Sequence, residues 1–141
     1  MARRVTAPEL AALTATLARV AAGGDPADAD LAATCRVACR VLAEQHPGGS
    51  LELRVPPFIA VQLGIGQRGA HTRGTPPNVV ETDAATLVRL AAGALSWPDA
   101  LAARAVTASG PHADLAAVFP LLGGLTASSQ QVGEAGHRGG S

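Results

Sequence analysis

The stretch His71–Asp83, HTRGTPPNVVETD, continuing through AATLVRLAAGALSW to Trp97, decides the fold. Most of the chain is Ala, Leu, Val and Gly. Here His71, Arg73, Glu81 and Asp83 crowd into one short polar segment. The β-branched pair Val79 and Val80, entered through Pro76 and Pro77, predicts a strand. Thr82 or Asp83 then caps a helix with Leu87 and Leu90 inward, Arg89 outward and Gly93 at its end. A second helix starts at once. Ser96 is its N-cap, Pro98 fits its first turn, and Asp99 stands at the capping-box position. Trp97, Ala100 and Leu101 form its inner face.

Upstream, SLELRV (50–55) alternates. Leu51, Leu53 and Val55 point one way, Glu52 and Arg54 the other, as in a half-buried strand. Pro56 and Pro57 mark its end. FIAVQL (58–63) predicts a second strand, GIGQRG (64–69) a turn, and AHTR (70–73) a short third strand. PNVVET is then the fourth and AVTAS (105–109) the fifth. Before the strands come two helices. One runs from Pro8 to Ala22, capped by Thr6, with Leu10, Leu13, Leu17 and Val20 at helical spacing. The other runs from Leu31 to Gln45, with Leu31, Cys35, Ala38 and Leu42 as its apolar stripe and Asp28 and Asp30 at its positive end. ADLAAVFPLL (113–122) predicts a last short helix disturbed by Pro120. The order suggests an α+β fold with helices packed on one face of the sheet. Three segments follow: an N-terminal helix and linker (1–29), the main domain (30–122) and a Gly/Ser/Gln-rich tail (123–141) expected to be disordered.

Composition narrows the function. Hydrophobic residues make up 48% of the 141 residues, but aromatics only 2%, so the core must be built from Leu, Val, Ile and Ala. Formal charge is zero and every basic residue is Arg. A balanced charge without a basic block argues against broad nucleic-acid binding. Glu9 and Arg19 bracket a short apolar run, which fits an amphipathic helix better than a secretory leader. The longest uncharged run, Leu115–Gly133, holds Pro120 and a Gly pair and makes a poor membrane span. A cytoplasmic location follows as the expectation, with no stable membrane insertion.

Chemistry-bearing motifs are few. Gly64, Gly66 and Gly69 spell GxGxxG, but AHTRGTPP follows and cannot open the helix that a dinucleotide phosphate requires. Cys35 and Cys39, four apart on a helix, suit buried thiols better than a disulfide or a metal site. His71, Arg73, Glu81 and Asp83 would need a geometry the sequence does not contain. Asp83 already serves as a cap, and Glu81 and Arg73 could pair on a wet sheet face. The expectation is a protein without catalytic residues, cofactor or metal.

RVPPFIAVQ, HTRGTPPNVVETD, LSWPDALAA and TASGPHADLAAVFPLL together resemble the sterol carrier protein family, in its short stand-alone bacterial (actinobacterial) form. The resemblance covers about Asp30 to Leu122. It implies a five-stranded, mostly antiparallel sheet covered by helices, with a hydrophobic tunnel between the two. It implies non-catalytic binding and transport of a hydrophobic small molecule: fatty acyl, sterol or similar. The helices at about 84–92 and 97–103 would roof the sheet. Cavity residues would be Val61, Leu63, Val79, Leu87, Leu90, Trp97, Leu101, Val106 and Leu115, with His71 and Arg73 near a lipid head group. One departure is Arg104, which stands where the family usually has Gly. The alternative is an accessory or interaction module with a closed, filled core, holding a protein partner or a second copy.

Overall fold

The structure, a computed structural model, describes residues 3–28, 30–66 and 76–125. Helix α1 (Ala7–Ala21) begins in a full capping box. The Thr6 hydroxyl accepts from the backbone of Glu9, and the Glu9 carboxylate accepts from that of Thr6. A short 3-10 turn (Pro26–Asp28) leads to α2 (Leu31–Gln45), whose N-cap Asp30 accepts from the Ala33 amide. Strands β1 (Leu51–Val55), β2 (Ile59–Leu63) and β3 (Asn78–Thr82) follow. Then come α3 (Ala84–Ala92), α4 (Trp97–Ala102) and β4 (Val106–Ser109).

Among the described residues the sheet has four strands in the order β2-β1-β3-β4. The outer pairings are antiparallel, but the central one, β1 with β3, is parallel. The sheet is thus mixed, which corrects the five-stranded, mostly antiparallel expectation. A β1–β3 crossover joins neighbouring parallel strands by way of β2 and the segment after it, and part of that segment, with the expected third strand AHTR, lies outside the described residues.

Register sorts the side chains. Leu53 stands beside Val61 and Val80, and Thr82 beside Val106, so one face carries an apolar wall. Leu51, Leu53, Val55, Leu63 and Val80 on that wall are at most 1% exposed. The opposite face is wet. Arg54 reaches Glu52 at 3.4 Å and Glu81 at 3.9 Å. Glu81 therefore pairs with Arg54 of the adjacent parallel strand; Arg73 lies outside the described residues.

The helices build two tiers. α2 lies along β2, and α1 packs against α2 and α3. Burial on α2 is consequently wider than a single stripe: Val37, Cys39 and Val41 join Cys35, Ala38 and Leu42. In α3 nearly every residue is buried, only Arg89 being fully outside, as for a helix covered on more than one side. Gly93 ends α3 at φ 80°, a left-handed cap.

Two departures from the sequence expectations are local. Residues 113–120 form turns, not a helix; helical geometry appears only at 122–125. Pro120 cannot donate a helical hydrogen bond. The Asp114 carboxylate takes the Ala116 amide, and the Leu121 amide bonds to Ala91 O at 2.8 Å, tying the segment to the end of α3. Arg104 adopts φ 57° before β4. An L-residue there costs about 1–2 kcal/mol relative to glycine.

The Gly-rich stretch also has a structural use. Gly64 passes so close to Gly48 and Pro47 that a Cβ at 64 would strike the Pro47 carbonyl oxygen. The Gly64 amide instead bonds to His46 O at 2.8 Å, closing the end of α2 onto β2. Gly69 lies outside the described residues.

Candidate functional site

The candidate site is the apolar layer between the inner sheet face and the helices. Two side-chain caps start the helices α3 and α4. Asp83 accepts from the Thr86 amide and from the Thr86 hydroxyl, both at 2.9 Å, fixing the start of α3 directly after β3. Ser96 accepts from the Asp99 amide at 3.2 Å and starts α4. Both oxygens of Asp83 are thus engaged in holding the helix, a structural role in place of an acid–base one.

At the start of α4, Trp97 is 6% exposed and stacks on Phe119, with ring centroids 6.4 Å apart and planes 23° from parallel. Leu63, Leu87, Leu90, Trp97, Val106 and Leu115 belong to one continuous buried core, against which Val61 packs from the edge strand. Val79 lies elsewhere. Strand period two puts Asn78, Val80 and Thr82 on the buried side and turns Val79 to the outer face, opposite Glu52. Leu101 is 41% exposed, on the outside of α4. His71 and Arg73 lie outside the described residues.

The layer contains residues that the sequence reading left out. Leu51, Leu53 and Val55 are its floor, and Val80 takes the place expected of Val79. The alternation in SLELRV already marked the first three. One polar group is embedded beside them: Asn78, 3% exposed, donates to Ser50 O at 2.9 Å and accepts from the His112 amide at 2.8 Å. It ties the entry to β1, the start of β3 and the turn after β4 together, with both its amide nitrogen and its oxygen partnered.

Cys35 and Cys39 are buried and unbridged. Their mutual hydrogen bond, together with burial, pushes the Cys39 thiol up, and the same bond draws the Cys35 thiol down. Among the described residues no group of three or more His, Cys, Asp or Glu is placed to hold a metal ion. No helix among them is long and apolar enough to cross a membrane.

Two open clefts lie on the helical side. One, of about 440 Å³, runs between α1 and α2 past Leu13, Thr16, Ala33 and Val37. The other, of about 460 Å³, lies between the residues leading into α1 and the C-terminal half of α2.

A mixed sheet with one wet face, and helices banked over the other, defines an α+β protein with an apolar core between the two. Residues 27–121, well over half of the chain, match the family model described as bacterial SCP ortholog, and the chain belongs to that sterol carrier protein family. The matched span begins just before α2, so α1 stands outside it. No curated protein matches the chain.

Proposed function

We propose that this protein binds and carries a hydrophobic small molecule of fatty acyl, sterol or similar type, without covalent chemistry, cofactor or metal. The observation that carries the reading is membership of the sterol carrier protein family over the segment that builds the apolar layer. Burial of an acyl chain there is worth about 0.8 kcal/mol per methylene, enough to drive uptake without polar contacts. The working site is the layer bounded by Leu63, Leu87, Leu90, Trp97, Val106 and Leu115, with Val61 at its edge. His71 and Arg73 are the candidates for the polar end of the ligand. The proposed place of action is the cytoplasm.

The test uses Trp97, the chain's only tryptophan. Titration with two neutral probes, dodecanol and cholesterol, should shift its emission and raise the melting temperature for at least one of them. At a hundredfold excess over Kd, ligand linkage contributes about 2.7 kcal/mol. Emission and melting both unmoved by either probe would overturn the carrier reading.

One observation favours a second reading. Leu51, Leu53, Leu63, Leu87 and Leu115 are all 0% exposed, as in a closed and filled core. A module of that kind would act through a protein partner or a second copy.

A further inference from the structure

The cleft at the start of α1 has the charge and the walls of a binding site. It is lined by Arg3, Arg4, Arg40, Ala43, Glu44, Pro47 and Val61. Glu9 sits beside it and is already saturated. Arg3 forks onto both its oxygens at 2.8 and 2.9 Å, Arg40 Nη2 donates at 2.8 Å, and the Thr6 amide donates at 3.0 Å. These donors, Arg3 first and Arg40 next, hold the Glu9 carboxyl far below the usual carboxylate range. Glu44 is also committed: its carboxylate accepts from the Val5 amide at 2.8 Å, pinning the leading segment to α2.

Two donors are left over. Arg40 is largely enclosed, and its Nη1 is shielded from solvent with no acceptor among the described residues. Buried donors are rarely left so. Arg4 lines the same cleft and makes no hydrogen bond or ion pair among the described residues. Three guanidiniums face two carboxylates, an excess of one positive charge. One excess charge matches a monoanion better than a phosphate monoester. A volume of about 460 Å³ is much more than a bare carboxylate fills, and Ala43, Pro47 and Val61 give it apolar walls.

We propose that this cleft binds a carboxylate carried on an apolar body, with Arg4 and Arg40 gripping the carboxylate and Ala43, Pro47 and Val61 lying against the apolar part. Planar guanidiniums suit the planar carboxylate. Arg3 and Arg4 lie outside the family-matched span while Arg40, Ala43, Glu44, Pro47 and Val61 lie within it, so the N-terminal segment completes the cleft. It does not depend on whether the interior layer takes a ligand.

The experiment is an amide-shift titration of the full chain with decanoate, decanol and acetate, followed by calorimetry. Decanoate should move the amides of Arg4, Arg40 and Ala43, bind about tenfold or more tightly than decanol at that place, and outcompete tailless acetate. Arg4→Gln should weaken decanoate about tenfold with an unchanged melting temperature, because a free surface guanidinium is lost and no structural bond with it. Arg40→Gln should also weaken it. Should that variant unfold, Arg4→Gln alone decides the matter. Equal affinity for decanoate and decanol, an unaltered affinity in Arg4→Gln, or shifts confined to Trp97 and the interior layer would each overturn the proposal. Interior shifts with decanol beside cleft shifts with decanoate would support both readings.

Discussion

Trp97→Ala is expected to cost about 3–5 kcal/mol of folding stability, read as a lowered urea midpoint at nearly constant slope. Trp97 is the first residue of α4 and is almost fully enclosed. Its ring rests on Phe119, which belongs to the non-helical segment 113–120. That segment is fastened to α3 mainly by the Leu121–Ala91 hydrogen bond and by the buried Leu115, Val118 and Leu121. Removing the indole withdraws the largest side chain from the junction of α4 with this segment. Trp97→Phe keeps an aromatic face toward Phe119 and should lose well under half as much. Equal losses in the two variants would show that the stacking contact is not what the site depends on.

Leu87→Ala should cost about 2–5 kcal/mol. Leu87 is 0% exposed, midway along a helix covered by α1 and α2. The cavity left behind cannot collapse easily between packed tiers, so the loss belongs toward the upper part of that range. Leu101→Ala is the internal comparison. Leu101 is 41% exposed on α4, and its truncation should stay within about 1 kcal/mol. The pair is read by chemical denaturation. Similar losses for the two would contradict the placement of α3 inside and the outer flank of α4 outside.

The contrast between Leu87 and Leu101 also marks how far the sequence could be read. Capping residues were legible because they act over three positions: Thr6, Asp83 and Ser96 each accept the amide expected of them. The alternation of β1 was legible for the same local reason. The parallel pairing of β1 with β3 was not, since it depends on where a crossover lands and not on either strand's own pattern. The choice between Val79 and Val80 needed the register: two adjacent valines satisfy both phases of a period-two strand, and the polar neighbours Asn78 and Thr82 turn out to be buried through their own hydrogen bonds. Leu101 was misplaced for a different reason. A helix of six residues offers too little periodicity to tell its inner face from its flank. The Glu9–Arg40 pair spans two helices, joined at 2.8 Å, and no local signal announces it.

Membership of the sterol carrier protein family is what favours a hydrophobic ligand in the apolar layer. Native mass spectrometry of the intact protein, taken directly from the cells that make it, tests this most directly. The carrier account predicts a fraction of molecules bearing one neutral or fatty acyl lipid, released on unfolding and lost when Leu63 or Val106 is replaced by a bulkier residue. A protein that emerges free of small molecules, bound instead to a protein partner or a second copy at fixed stoichiometry, would contradict it.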